Sequence, residues 1–516
     1  MNLDFLFPKT PEKGGDSTQK PVVFGGSRAE KGGLFGASGE GKWNLDSQIL
    51  CLKPSLDLFG EKESSGLTLS DCLRGVQVFG STGSGKSTGS GQALARSFLR
   101  EGYGGLVLCV KSDEADTWRE YASKEGREKD LVVVKPGDPA GNFNFLSEEA
   151  RSSKGLTINT VQMLLDIHAL YTRGTSGGSG QEQDAFWQNQ LHTLLTHSIV
   201  VTKAFYKTLS ARSLIQVIRD ATQHSEHSHD PSLLKLLKNR FEEALCVTES
   251  AWGQNPGLSE YKDARLFFEG EFKTLAEKTR SIIVAMALSV LEPLTREPLQ
   301  GLFCTTTGIR PEDSFQGKVI VVDVPVHSYR RAGLLSQLIW KLAFRNAVKA
   351  RVEPDRPVFL WADESQYFVE ASDVEFLTTS RSQRCITVYL TQNLSNYQAV
   401  LGSEAKVSAI LGSLNLRIFH QNNDPKTNDF ASQTIGKVKV KNQSTSVQGK
   451  ASFFKPKPKQ SVTTSESWDF DVPARVFSAL KAGGLSNRLE VEAIVHATGR
   501  KLSGQKPWIR ASFRQG

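Results

Sequence analysis

The segment Gly80-Ser81-Thr82-Gly83-Ser84-Gly85-Lys86-Ser87 satisfies the pattern GxxxxGK[ST] in full and directly follows Val76-Gln77-Val78-Phe79. No other feature restricts the fold so tightly. A strand must end there, the backbone must wrap so that successive N–H groups converge on one anion, and a helix must start behind it. Glycines permit the wrap. Lys86 is of a length to reach β- and γ-phosphates, and the Ser87 hydroxyl suits Mg²⁺. Gly80 to Thr88 is therefore the expected nucleotide-binding segment, with ATP and Mg²⁺ as ligands. Gly89 and Gly91 each weaken the following helix by about 1 kcal/mol relative to alanine. Either the backbone is closely approached there or the first turns are irregular.

A second match, Gly36-Ala37-Ser38-Gly39-Glu40-Gly41-Lys42, is followed by Trp43. It lacks the Mg²⁺-binding hydroxyl, puts Glu40 against the phosphates and follows no strand. It is read as a chance repeat.

The strand before the loop has companions. Leu106–Val110, Leu131–Val134, Val319–Val322, Val358–Trp361, Ile386–Leu390 and Leu416–Phe419 are short, continuous apolar runs. Such runs separated by helical stretches predict an α/β fold with a mostly parallel sheet covered on both faces. Between 158 and 295 the pattern turns helical, with Leu191, Leu194, Leu195 and Ile199 recurring on one face, and again Leu233, Leu234, Leu237 and Phe241. Glycines 174, 177, 178 and 180 mark a loop inside this region. The organisation expected is an arm over 1–45, a nucleotide-binding domain in two parts (46–157 and 296–435), and an all-α insertion at 158–295. A lysine-rich flexible insertion then follows at 436–466, and a segment 467–516 completes the domain.

Composition adds boundaries. The 516 residues are 39% hydrophobic and 23% charged, enough apolar material for a core. No apolar run approaches the roughly 20 residues of a membrane span, and the first residues lack an export signal. Six scattered cysteines form no CxxC pair, which fits a reducing compartment. A cytoplasmic protein is expected. The net charge is +8, yet seven lysines (437, 439, 441, 450, 455, 457, 459) fall between 436 and 465 without an acid, leaving about +1 elsewhere. That stretch reads as a solvated insertion or as an arm that binds polyanions, and the two are compatible.

Val358-Phe359-Leu360-Trp361-Ala362 ends in Asp363-Glu364. Neighbouring strand residues point to opposite sides, so the acids are expected to divide the work. Asp363 would face the Mg²⁺ shell and Glu364 an attacking water. A later strand ends in Thr391-Gln392, where Gln392 is placed to sense the γ-phosphate. Arg381 and Arg384 precede that strand; one of them, with Arg381 preferred, is expected to act on a neighbouring subunit's nucleotide.

Taken in order, Arg74 to Thr88, Asp184-Ala185-Phe186-Trp187, Phe359 to Glu364, Arg381 to Gln392, and Asn423-Asp424-Pro425 with Thr427 resemble the coupling ATPases of conjugation and type IV secretion, the TraG/TraD group within the FtsK/HerA-like motors. The resemblance spans roughly 66–436. It implies a RecA-like P-loop ATPase domain interrupted by an all-α domain, six subunits in a ring, DNA in the channel, and a relaxase or secretion-system partner. It also implies that Arg381, eleven residues before Gln392, acts across the subunit boundary. Two departures stand out. The family's membrane helices have no counterpart, so a membrane-tethered pump is not expected, whereas a motor recruited to the inner face of the membrane by a separate membrane protein is compatible with the sequence. The family's Asp-Pro-Lys appears as Cys109-Val110-Lys111. An export receptor for proteins and an ATP-gated scaffold are the competing functions. His224 to Asp230 reads as a solvated loop rather than a metal site, and Phe186 and Trp187 read as core residues.

Overall fold

Each continuous apolar run becomes a strand of one sheet. The computed structural model describes residues 43–54, 65–151, 156–171, 181–206, 208–222, 256–448 and 459–516. The second glycine-rich match at 36–42 and the histidine cluster at 224–230 lie outside them. The chain forms two compact units, one from Trp43–Lys135 with Ile309–Gly516, the other including Pro136–Gly308.

The first unit holds β1 (Gln48–Pro54), β2 (Ser65–Thr68), β3 (Val76–Phe79), β4 (Gly104–Leu108), β5 (Leu131–Val134), β6 (Val319–Val322), β7 (Val358–Ala362), β8 (Cys385–Thr391), β9 (Leu416–His420), β10 (Lys437–Gln448), β11 (Lys459–Phe470), β12 (Glu490–Ala497) and β13 (Trp508–Arg514). Eleven of these make one sheet in the order β2-β1-β13-β12-β9-β3-β8-β7-β4-β6-β5. From β9 to β5 all pairings are parallel. The strands β12, β13, β1 and β2 extend it antiparallel. β3, β4, β6, β7 and β8 are buried along their whole length, as parallel strands covered on both faces must be.

Parallel register aligns the carboxyl ends. Phe79 lies beside Thr391 and Phe419, and Ala362 beside Leu108 and Tyr389. The loops leaving β3, β8, β7 and β4 therefore emerge side by side, where open α/β sheets place their ligands. On one face Trp118 stacks on Phe359 with ring centroids 5.6 Å apart, and Phe98 packs on the same ring at 5.6 Å. Each such buried side chain contributes about 1.5–3 kcal/mol.

The helix Val326–Lys349, broken at Arg330, carries a buried ionic cluster. Lys341 Nζ donates to the Phe368 carbonyl at 2.7 Å and lies 2.7 Å from Asp373 and 3.2 Å from Glu370. Arg345 Nη1 reaches Glu370 at 2.5 Å and Asp373 at 2.9 Å, while the Tyr389 hydroxyl donates to Asp373 at 3.0 Å. Two cations balance two anions, so the buried charge is neutral and the segment after Glu364 is pinned to this helix.

The second unit is helical, with the helices Thr157–Tyr171, Gln181–Phe205, Ala211–Thr222, Pro256–Leu266 and Glu277–Leu291 as its main elements. Leu191, Leu194, Leu195 and Ile199 are all buried in it. Phe186 is 49% exposed and rests edge-on against Trp187, so it is not the core residue its spacing predicted. The unit runs 136–308, wider than the expected 158–295. Its two chain ends are tied together: Phe143 N donates to Leu302 O at 2.7 Å and Gly308 N to Asn142 O at 2.8 Å. Phe145 packs edge-on against Phe303, closing the base.

Residues 437–448 and 459–470 are not the flexible stretch expected. They pair as an antiparallel ribbon over twelve positions, Lys437 opposite Phe470 and Gln448 opposite Lys459. β-branched and aromatic residues such as Val438, Val440, Thr445, Val462, Thr463, Thr464 and Trp468 supply the strand preference that lysine content obscured.

Candidate active site

Gly83 and Gly85 have φ of 77° and 82°, the left-handed region that favours glycine. The loop is held at its base by Gly80 N donating to Thr391 O at 3.2 Å and Ser81 N to Gln421 O at 2.9 Å. The N–H groups of Thr82, Gly83 and Gly85 carry no hydrogen bond among the described residues. Ser84 Oγ is buried and likewise without a partner there. Unspent donors on a tight loop at a helix N-terminus are what an anionic ligand would satisfy.

The helix behind the loop begins irregularly, which accounts for its glycines. Ser87–Gly91 is a wide turn in which Gly91 N donates five residues back to Lys86 O at 2.9 Å. A Cβ at Gly91 would lie 2.8 Å from that same carbonyl oxygen.

The acidic pair meets this loop. Ser87 Oγ donates to Asp363 Oδ2 at 2.6 Å, and Lys86 Nζ lies 3.0 Å from Glu364 Oε1. The two carboxylates were expected on opposite sides of the strand. Both instead face the loop, because Glu364 leaves strand geometry with φ 51° and ψ 47°. A left-handed conformation costs a non-glycine residue roughly 1–2 kcal/mol. Contacts to the Glu364 side chain hold it there: Gln366 Nε2 donates to Oε2 at 2.9 Å and Gln392 Nε2 at 3.4 Å, with Thr391 Oγ1 bracing Gln366 at 2.8 Å.

Lys111, noted in the sequence only as the end of the altered Asp-Pro-Lys motif and given no role there, joins the site. Its Nζ lies 3.5 Å from Glu364 and 3.8 Å from Asp363. The signal was its position just past β4, next to β7 in the sheet, which only the strand order makes meaningful. Glu114 fixes the backbone beneath it by accepting from Val110 N at 3.0 Å and Lys111 N at 3.4 Å.

The charges interact strongly. Burial pushes Glu364 up, but Lys86, the Gln366 amide and Lys111 outweigh it and hold the carboxyl below the usual range. Burial opposes the charge on Lys111, yet Asp363, Glu364 and Glu114 raise its pKa. Burial, with the Asp363 charge, pushes Glu114 up to about 8 against the two N–H groups it accepts. On the far side of the loop His420 is fully buried between Ser90 Oγ (2.7 Å) and the Glu492 carbonyl (3.1 Å), and burial lowers its pKa to about 4.

Thr88 is exposed and its hydroxyl accepts from Gln515 at 2.6 Å. Arg381 is exposed at the end of the helix Asp373–Ser380, with no side-chain partner among the described residues. Arg384 is committed to backbone, its Nη1 donating to Asp355 O at 2.8 Å and Trp43 O at 3.1 Å. Asp424 caps the helix Pro425–Ile435, accepting from Thr427 N at 3.2 Å and Thr427 Oγ1 at 2.6 Å.

Residues 357–471, from the acidic strand through the ribbon, match the family model described as the TraM recognition site of TraD and TraG. Over this stretch the chain is TraG/TraD-like. The chain also shares its fold with solved structures. The unbound monoclinic form of the bacterial conjugative coupling protein TrwBdeltaN70 is 16% identical, with 87% of each chain covered and a TM-score of 0.56. The plasmid coupling protein TrwB in complex with ADP and Mg²⁺ is 17% identical, again with 87% of each chain covered, at a TM-score of 0.55. TrwB with the non-hydrolysable GTP analogue GDPNP is 18% identical over the same shares, at 0.54. The mixed α/β architecture with its mostly parallel sheet is therefore the fold of TrwB. No curated protein matches the sequence. Among the described residues no helix is long and apolar enough to cross a membrane.

Proposed function

We propose that the protein is an ATP-hydrolysing motor that moves DNA through a ring of its own copies, six by family resemblance. The observation that carries this reading is the meeting of Lys86 with Glu364 and of Ser87 with Asp363, at 3.0 and 2.6 Å. A cation, a hydroxyl and two carboxylates in that arrangement suit a Mg²⁺-triphosphate and an attacking water.

Ser87 and Asp363 would hold the metal, which when bound neutralises charge on the β- and γ-phosphate oxygens. Lys86 exchanges Glu364 for phosphate, since a triphosphate is the stronger competitor for its ammonium. Glu364, then released, keeps its orientation through Gln366 and Gln392 and accepts a proton from water. Gln392, shared between that carboxylate and the loop leaving β8, relays occupancy of the site toward the neighbouring strands. Arg381, exposed and with no side-chain partner among the described residues, completes the site of an adjacent copy. The match over 357–471 supports a protein partner of the relaxosome.

The test is ATP turnover with and without single-stranded DNA at low salt. Stimulation that declines with salt, at a slope near −0.7 per neutralised phosphate, is expected. Turnover that ignores DNA would leave an ATPase serving another cargo, and an absence of turnover would overturn the reading.

A further inference from the structure

The β10–β11 ribbon stands outside the eleven-stranded sheet, and its two faces differ. Alternate residues of a strand share a face, and the register sets Lys437, Lys439 and Lys441 on the same face as Phe470, Trp468 and Glu466. Lys437 Nζ sits 5.0 Å from the Phe470 ring centroid and Lys439 Nζ 5.7 Å from that of Trp468. The opposite face near the root carries Val438, Val440, Asn442, Ser465, Ser467 and Asp469. Trp468 is 63% exposed. One carboxylate, Glu466, shares the lysine face, 3.7 Å from Lys439 in an exposed pair worth little in water. Between 437 and 470 the sequence has seven lysines against two acids.

From this face we infer that the ribbon is a binding site for single-stranded nucleic acid, separate from the ATP site. Lysines at alternate positions present a row of cations to a phosphate backbone, and an exposed indole among them offers a platform for an unstacked base. A protein partner suits the face less well, because protein interfaces are depleted in lysine and need a dry apolar centre. A duplex keeps its bases stacked and would leave Trp468 unused. The inference stands apart from the motor reading, since the ribbon needs neither nucleotide nor ring to bind a strand.

The experiment measures binding of a fluorescent oligothymidylate to the full chain without nucleotide, followed by photocross-linking with an iodouracil-substituted oligonucleotide. Wild type should cross-link within 459–470. Trp468→Ala should weaken binding about fivefold or more, Trp468→Phe should restore most of it, and the triple variant K437A/K439A/K441A should flatten the salt slope by about 2. DNA-independent ATP turnover of these variants should equal wild type, which shows the fold intact. Lys86→Ala, which disables the ATP site, should leave oligonucleotide binding at the ribbon unchanged. Unaltered binding in both ribbon variants, cross-links confined elsewhere, or equal competition by polyglutamate or duplex would overturn the inference.

Discussion

Lys86 Nζ and Glu364 Oε1 lie 3.0 Å apart although 278 positions separate them in the chain. β3 and β7 flank β8 in a parallel sheet, so the loops leaving them emerge at one edge and the pair closes across it. The pair links the two halves of the site. Glu364→Gln should therefore abolish turnover, by about 10²–10⁴-fold, while a fluorescent ATP analogue still binds. Lys86→Ala should instead lose analogue binding. A Glu364→Gln variant with near-normal turnover would leave the ATP site without its base.

Lys111 adds a second cation to the same two carboxylates, at 3.5 and 3.8 Å. Its side chain is 38% exposed, so solvent screens much of its effect. Lys111→Ala should lower turnover by about tenfold or less, and Lys111→Arg should recover it. The measurement is steady-state kinetics of both variants beside titration of the ATP analogue, which separates lost affinity from lost rate.

Much of this geometry was legible in the sequence, and the reason is local. The glycine-rich loop, the acids after β7 and Gln392 after β8 each sit at the end of an apolar run, and parallel strands end together. The role of Lys111 was hidden, although its motif was noted, because it depends on β4 lying beside β7, a matter of strand order. The paired facing of Asp363 and Glu364 was hidden because a single left-handed residue reverses the alternation of a strand. Composition misled at 437–470, where lysines suggested a solvated loop and the Val/Thr alternation of a ribbon received no weight.

The buried cluster around Lys341 was invisible for the same reason as Lys111: its partners come from a helix, a loop and a strand. Its charges are balanced only as a set. Lys341→Met would strand Glu370 and Asp373 against a single arginine in a buried site, at a cost of about 3–5 kcal/mol. Urea unfolding should show the midpoint shifted down by the corresponding amount. A midpoint within 0.5 kcal/mol of wild type would mean that the cluster is not the anchor described.

His420 gives stability a pH dependence of known sign. Its pKa of about 4 in the fold lies below the ordinary 6.5 because burial disfavours the charged ring, with Lys86 adding repulsion. Above pH 6.5 both states are neutral at this site and nothing changes. As pH falls toward 4 the unfolded chain takes up the proton first, so stability falls, by about 2 kcal/mol between pH 7.5 and 5. His496, lowered to about 4 by burial and then by Arg417, adds a loss in the same window. Urea titrations at pH 7.5 and 5 should show this loss in wild type and a smaller one in His420→Gln.

Arg381 and Arg384 are three residues apart, and their surroundings separate their roles. Arg384 spends Nη1 on the Asp355 and Trp43 carbonyls, and its own carbonyl accepts from Val358 N at the start of β7. Removing its guanidinium leaves the part-buried Trp43 carbonyl without this donor while the exposed Asp355 carbonyl turns to water, so Arg384→Ala should lower stability by about 1 kcal/mol. The Arg381 guanidinium has no hydrogen bond or ion pair among the described residues, so Arg381→Ala should leave the unfolding midpoint unchanged while turnover collapses. If it acts on a neighbour's nucleotide, the loss belongs to the interface rather than to the chain. Mixing Arg381→Ala with Glu364→Gln protein should then recover measurable turnover, because some interfaces pair an intact Glu364 with an intact Arg381 from the next copy. No recovery in the mixture, with both proteins assembled, would confine Arg381 to its own subunit.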